Sequence, residues 1–116
     1  MARDGLLGSF EELVLLAVAH CGDTAYGMTV RRQIAERSGR DVTIGAVYST
    51  LERLTAKGLL ATRTADPSQQ RKGRARRYYR LLPDGADALR QSRAVHDRMW
   101  AGLDSSALPT AQQGQG

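Results

Sequence analysis

Cysteine, aromatic residues and long apolar runs are scarce in this chain. Cys21 is the one cysteine in 116 residues, so no intrachain disulfide can form and a reducing compartment suits the protein. Histidine, cysteine and acids never gather at ligand spacing, which leaves no metal site and implies no cofactor. The longest apolar run, Leu13 to Ala19, is far shorter than the roughly 20 residues needed to cross a bilayer. With no secretory leader at the N-terminus either, a soluble cytoplasmic protein with no membrane partner is expected. The one conceivable nucleophile pair is His20 with Cys21. Adjacent residues on a helix point about 100° apart, too divergent for a base and its nucleophile. No phosphate-cradling loop accompanies them, and an enzyme is not expected.

What the chain does have is positive charge. Seventeen Lys and Arg against twelve Asp and Glu give a net charge of +5, with a sequence pI near 10.0. Such a balance suits a polyanion, but the placement of the charge has to decide. Arg71, Lys72, Arg74, Arg76, Arg77 and Arg80 crowd into one short stretch without a single acid. The length allows one domain with a modest core.

The stretch from Thr43 to Leu60 organises the rest. At helical spacing Ile44, Val47, Leu51 and Leu54 share one stripe, while Gly45, Ala46, Ser49, Glu52, Arg53 and Ala56 lie opposite. Thr43 can cap the first free amides, and Gly58 can take the left-handed conformation that ends a helix. A solvated helix face normally carries long charged side chains; here its first two turns offer glycine, alanine and serine, with Tyr48 on the flank. Small side chains permit close approach to another surface, and the DNA major groove is the natural one. A merely solvated small-faced helix is the alternative.

Upstream, Ser9-Phe10-Glu11-Glu12 has the form of a capping box before an apolar run, which predicts a helix from there to about His20, with Gly22 beyond. That helix is apolar nearly all round. Either it is the central helix of a three-helix core, or a second subunit covers its outer side. A second helix is predicted from about Ala25 to Ser38, with Tyr26, Val30 and Ile34 repeating every four residues and Gly39 closing it. Only Arg40, Asp41 and Val42 then precede Thr43, a connection that fits a helix-turn-helix. Arg31, Arg32 and Arg37 fall on the solvent side of its first helix, where they could touch phosphates.

After Gly58 the pattern turns extended, over Leu60 to Ala65 and again over Arg76 to Leu81, which predicts a hairpin with its tip at Pro67 to Arg74. A basic hairpin beside a helix-turn-helix suits phosphate contact. Pro83 can open a last helix running to about Leu103. Leu82, Leu89, His96 and Leu103 recur on it every seven residues, with Met99 and Trp100 alongside, which suggests a two-helix seam interrupted by Ser92 and His96. Residues 104–116 have the composition of a disordered tail. The expected architecture is α+β but mostly α: a winged helix-turn-helix with a two-stranded wing over 1–82, and a C-terminal dimerisation helix over 83–103.

Several motifs in this order resemble the PadR family of bacterial transcriptional regulators, in the short subfamily with one C-terminal helix. They are Leu7-Gly8-Ser9-Phe10-Glu11, Leu13 to Ala17, Ala25-Tyr26-Gly27, Gly45-Ala46-Val47-Tyr48, Leu51-Glu52-Arg53-Leu54, Lys57-Gly58-Leu59 and Arg77-Tyr78-Tyr79-Arg80-Leu81. The resemblance implies a homodimer on a palindromic operator in double-stranded DNA, usually a repressor, often released by a small hydrophobic or aromatic effector. It implies base reading through Thr43, Gly45, Ala46, Tyr48 and Ser49, and backbone tracking by the wing. The candidate DNA contacts are therefore these five, Arg53 on the same outward face, and Arg71, Lys72, Arg74 and Arg76 on the wing. For the effector it implies a cavity at the dimer interface lined by aromatics of the last helix, here Trp100 with Met99 and His96 beside it. One departure is Leu82, where the family usually has a capping threonine. The alternative function is a winged-helix module for protein or RNA; protein binding would want exposed apolar residues on the third helix, and RNA binding exposed aromatics for stacking.

Overall fold

Residues 7–65 and 76–111 are described by the computed structural model of the chain. The order is α1 (Ser9–Cys21), a 3-10 turn (Gly22–Thr24), α2 (Gly27–Ser38), α3 (Ile44–Ala56), β1 (Leu60–Thr64), β2 (Arg77–Leu81), α4 (Pro83–Trp100) and a final 3-10 turn (Ser105–Ala107). One core holds the first three helices and the hairpin together. Val14, Leu15 and Val18 of α1, Val30 and Ile34 of α2, Val47, Leu51 and Leu54 of α3, Leu60 of β1 and Tyr79 of β2 are all buried in it. Each large apolar side chain removed from water contributes about 1.5–3 kcal/mol before entropy is counted.

The helix ends follow local chemistry, with two shifts from the sequence expectation. Gly8, not Ser9, is the N-cap of α1, and its amide donates to Glu11 Oε1 at 3.2 Å. The box is thus displaced by one residue, which frees Glu12 for another partner. α2 begins at Gly27 instead of Ala25 because the preceding residues are pinned in extended form. The Ala25 carbonyl accepts a hydrogen bond from the Tyr79 amide at 2.9 Å, and the Tyr26 amide donates to Thr29 Oγ1 at 2.9 Å. The α3 boundaries agree with expectation. Thr43 Oγ1 accepts from the Ala46 amide at 3.1 Å. At the other end Gly58 has φ +80°, its amide donates to the Thr55 carbonyl and the Leu59 amide to that of Leu54, the paired bonds of a Schellman motif.

β1 and β2 pair antiparallel, Leu60 opposite Leu81 and Thr64 opposite Arg77. The expected hairpin is present, while its tip at Pro67 to Arg74 lies outside the described residues. α4 is fastened to the base of the sheet: the Leu82 amide donates to the Leu59 carbonyl at 3.0 Å. Leu82 itself supplies no side-chain cap. Gly85 sits directly under this joint, and a Cβ there would overlap the Leu59 carbonyl oxygen and crowd Leu81. Gly85→Ala is therefore expected to cost about 1–3 kcal/mol net, even though alanine is the better helix former. A urea titration followed by circular dichroism reads the shift in midpoint.

α4 differs from a seven-residue seam. It ends at Trp100, because Ala101 leaves the helical region and Gly102 takes φ +85°, so Leu103 falls beyond it. Leu82 lies before its first turn. The polar residues that break the stripe face the chain's own α1: buried Ser92 donates to Glu12 Oε2 at 3.0 Å, and His96 Nε2 lies 3.5 Å from Glu12 Oε1. Within the tail, expected to be disordered, the described residues Ser105–Ala107 form an exposed 3-10 turn capped by Asp104. Among the described residues no helix is long and apolar enough to cross a membrane.

Candidate nucleic-acid interface

The core stripe of α3 aims its other side outward. Val47, Thr50, Leu51 and Leu54 are buried, whereas Gly45, Ala46, Tyr48, Ser49 and Glu52 are exposed. Gly45 is the informative residue. A Cβ built on it meets nothing within 4 Å, so neither packing nor backbone conformation inside this chain requires a glycine there. A glycine in a helix interior costs about 0.8–1 kcal/mol relative to alanine, an upper bound for Gly45 in the first turn of α3. The position is open on its outer side, and among the described residues nothing would stop a larger side chain there.

The other α3 candidates divide by what already occupies them. The Thr43 hydroxyl is engaged as the helix cap, and Ser49 Oγ donates back to the Ala46 carbonyl at 3.2 Å. Tyr48 is 43% exposed, and its ring lies on Gly27 at the start of α2, where an added methyl would overlap it. One side of that ring is thus committed to the helix-turn-helix joint. Arg53 is exposed as well and has partners inside the chain, with Nε 3.6 Å from Glu11 Oε2 and a hydrogen bond to Thr50 Oγ1 at 3.2 Å. Lys57 Nζ reaches the same Glu11 oxygen at 2.8 Å. Burial pushes the Glu11 carboxyl pKa up, but the hydrogen bonds from Lys57 and the Gly8 amide, with the charges of Lys57 and Arg53, outweigh it and leave the pKa lowered. Glu11 therefore stays ionised at neutral pH, and its hold on Arg53 lasts until acid passes that lowered value.

At the base of the wing the structure assembles a stack that the sequence did not disclose. The Arg76 guanidinium lies 4.0 Å from the Tyr26 ring centroid, and that of Arg63 4.5 Å from Tyr78. The two rings meet edge to face at 5.6 Å. A hydrogen bond with Tyr78 is the main cause of the raised Arg76 pKa, though arginine is cationic at neutral pH in any case. Stacking of this kind steers a guanidinium without neutralising it. Of the four wing candidates, Arg76 lies within the described residues, at the wing base. Arg71, Lys72 and Arg74 lie outside the described residues. Tyr26 shares the four-residue repeat of Val30 and Ile34, but unlike them it is only half-buried, and its ring belongs to this stack.

A second link ties the wing to α3. Arg77 Nη1 pairs with Glu52 Oε2 at 2.6 Å, and the hydroxyl of buried Tyr79 donates to the same oxygen at 2.9 Å. The signal for this was faint, an acid and a basic strand residue 25 positions apart. The effector candidates, in contrast, stand out from the fold. Met99 is 73% and Trp100 52% exposed, with His96 on the same helix end touching Glu12. Among the described residues no cluster of His, Cys and acids could hold a metal ion.

A helix-turn-helix with a small-residue second helix, flanked by a two-stranded wing, defines the class of winged-helix transcription regulators. The chain belongs to the transcriptional regulator PadR-like family, whose model matches residues 15–91. It is similar to the transcriptional regulator Rv3488 of Mycobacterium tuberculosis, 41% identical over 82 residues that cover 69% of this chain and 71% of that protein. Among solved structures it resembles a PadR family transcription regulator from Clostridium difficile R20291, with TM-score 0.62 and 25% identity over 94% of this chain and all of the other. A PadR-like transcription factor from Bacteroides fragilis shares the fold, with TM-score 0.66 and 24% identity, covering 78% of this chain and 82% of that one.

Proposed function

We propose that this regulator acts as a homodimer on a two-fold operator, as a repressor, reading bases with the face of α3 that carries Gly45, Ala46, Tyr48 and Ser49. The observation that carries this reading is the open space at Gly45. The stacked Arg76 at the wing base adds a cation where phosphates would flank that helix. Two features support a second copy. Leu16 of α1 is exposed, and with Leu13, Ala17 and Ile34 it borders a concavity of about 160 Å³ on the α1–α2 face. The end of α4 likewise leaves Met99 and Trp100 uncovered. A two-fold operator follows from a two-fold protein.

Release by a small aromatic effector held near Trp100, Met99 and His96 is the finer part of the proposal. A protein of the same fold, BpsR of Bordetella bronchiseptica, has its DNA binding regulated by 6-hydroxynicotinic acid, and it aligns with 23% identity and TM-score 0.61 over 90% of this chain and 73% of its own. That likeness is one of fold alone. Mobility shift with the duplex upstream of the chain's own gene, against random duplex, tests the reading, together with sedimentation at micromolar concentration. The expected results are preference for the upstream duplex and twice the 12.6 kDa chain mass. Equal binding to both duplexes, or a monomer, would overturn it.

A further inference from the structure

The wing strand carries an arginine that the fold has already spent on a partner of its own. Glu52 stands on the outward side of α3, and its carboxylate is fixed from two directions. The hydroxyl of Tyr79, a residue buried in the core, donates to Oε2, and Arg77 pairs with that same oxygen. An exposed ion pair normally contributes little and opens easily. Here the buried tyrosine holds the carboxylate in place, so Arg77 finds its partner without ordering a second flexible chain. The neighbouring Arg76 differs: its described partners are the ring of Tyr26 and Tyr78, and neither is an acid, so its charge is left intact.

We propose that Glu52 is a specificity-determining residue, which withholds Arg77 from DNA phosphates and so limits the sequence-independent attraction of the wing. The inference rests on the reading that DNA lies against α3 and the wing. A phosphate that approached Arg77 would have to displace Glu52 and leave that carboxylate facing the DNA, a like-charge contact. The pair is neutral as a unit and releases no net counterion, whereas a lone arginine in its place would. Weak attraction to random duplex raises discrimination as surely as strong attraction to the operator, since specificity is a difference of affinities.

The test uses the full chain and a labelled random-sequence duplex, with affinity measured across a salt series. Glu52→Gln keeps an oxygen that can accept from Tyr79, and it should steepen the slope of log affinity against log salt by about 0.9. Between roughly 50 and 200 mM salt its affinity should therefore fall about 3.5-fold further than that of the parent chain. The double variant Glu52→Gln with Arg77→Gln should return to the parent slope. An unchanged slope in the single variant, or a slope shallower than the parent by about 0.9 in the double one, would overturn the proposal. If the single variant fails to fold, as a thermal melt would show, the double variant still decides. Arg76→Gln serves as the separate check on the DNA reading itself: it should lower the slope by about 0.9, and a parent chain that binds no duplex, or an Arg76→Gln slope equal to the parent's, would overturn that reading instead.

Discussion

Gly45→Glu is expected to weaken binding to any duplex by about 100-fold while the thermal midpoint rises. The two effects come from the two sides of one position. Toward the fold, a Cβ at Gly45 meets nothing, and the residue lies in the first turn of α3, two places after the Thr43 cap. Replacing a helical glycine relieves at most about 0.8–1 kcal/mol, the interior value, and an acid in the first turn gains roughly 0.3–1 kcal/mol from the helix dipole. The sum corresponds to a rise of several degrees in a domain of about 100 residues. Toward the DNA, the same carboxylate would stand where the groove and its phosphates approach. Like-charge juxtaposition at an interface costs several kcal/mol, and about 3 kcal/mol is already more than 100-fold. Mobility shift and a thermal melt on the same preparation read both. A variant that bound duplex as the parent does would mean that α3 does not face DNA, whatever its stability.

The two-sidedness of α3 was legible because both of its signals are local. A stripe of Val47, Leu51 and Leu54 at helical spacing, a threonine at one end and a glycine at the other are enough to fix where the helix lies and which side it buries. Thr50, buried beside that stripe, escaped because its neighbour in space is not its neighbour in the repeat. The hairpin was legible for the same reason as the helix, since alternation and turn residues sit close together in sequence. What stayed hidden was every feature set by a distant partner. Residues 25 and 26 read as helix, and they are extended because the Ala25 carbonyl is taken by an amide 54 residues further on. Tyr26 then turns its ring to the wing instead of the core. Arg53 has the right periodicity for the outward face, but its ion pair with Glu11 could not be read from that spacing. The heptad in α4 is real as a spacing, but Gly102 and Ala101 end the helix before its last member, and Glu12 claims His96. Apart from the end of α4, which its own Gly102 sets, an ion pair or a hydrogen bond across the fold decided between conformations that local propensity left nearly equal.

Leu51→Ala is the counterpart on the other side of the helix, and it should destabilise the fold by about 2–5 kcal/mol. Leu51 is fully buried, in a cluster that draws on α1, α2, α3 and both strands, so the void cannot be closed by one element moving alone. The cost is the lost transfer of the side chain from water plus that of the cavity. For a small domain this is a large share of a total that lies near 5–15 kcal/mol. The urea midpoint should drop with little change in slope, since a change in slope would mean an altered denatured state instead of a lost contact. The outward face is untouched by the substitution, however. At low temperature, where most of the chain is still folded, the variant should bind duplex within a few-fold of the parent, with the same salt dependence. Gly45→Glu and Leu51→Ala thus move affinity and stability in different combinations from positions less than two turns apart. If Leu51→Ala instead abolished binding while leaving the urea midpoint in place, the side of α3 assigned to the core would be the side that meets DNA.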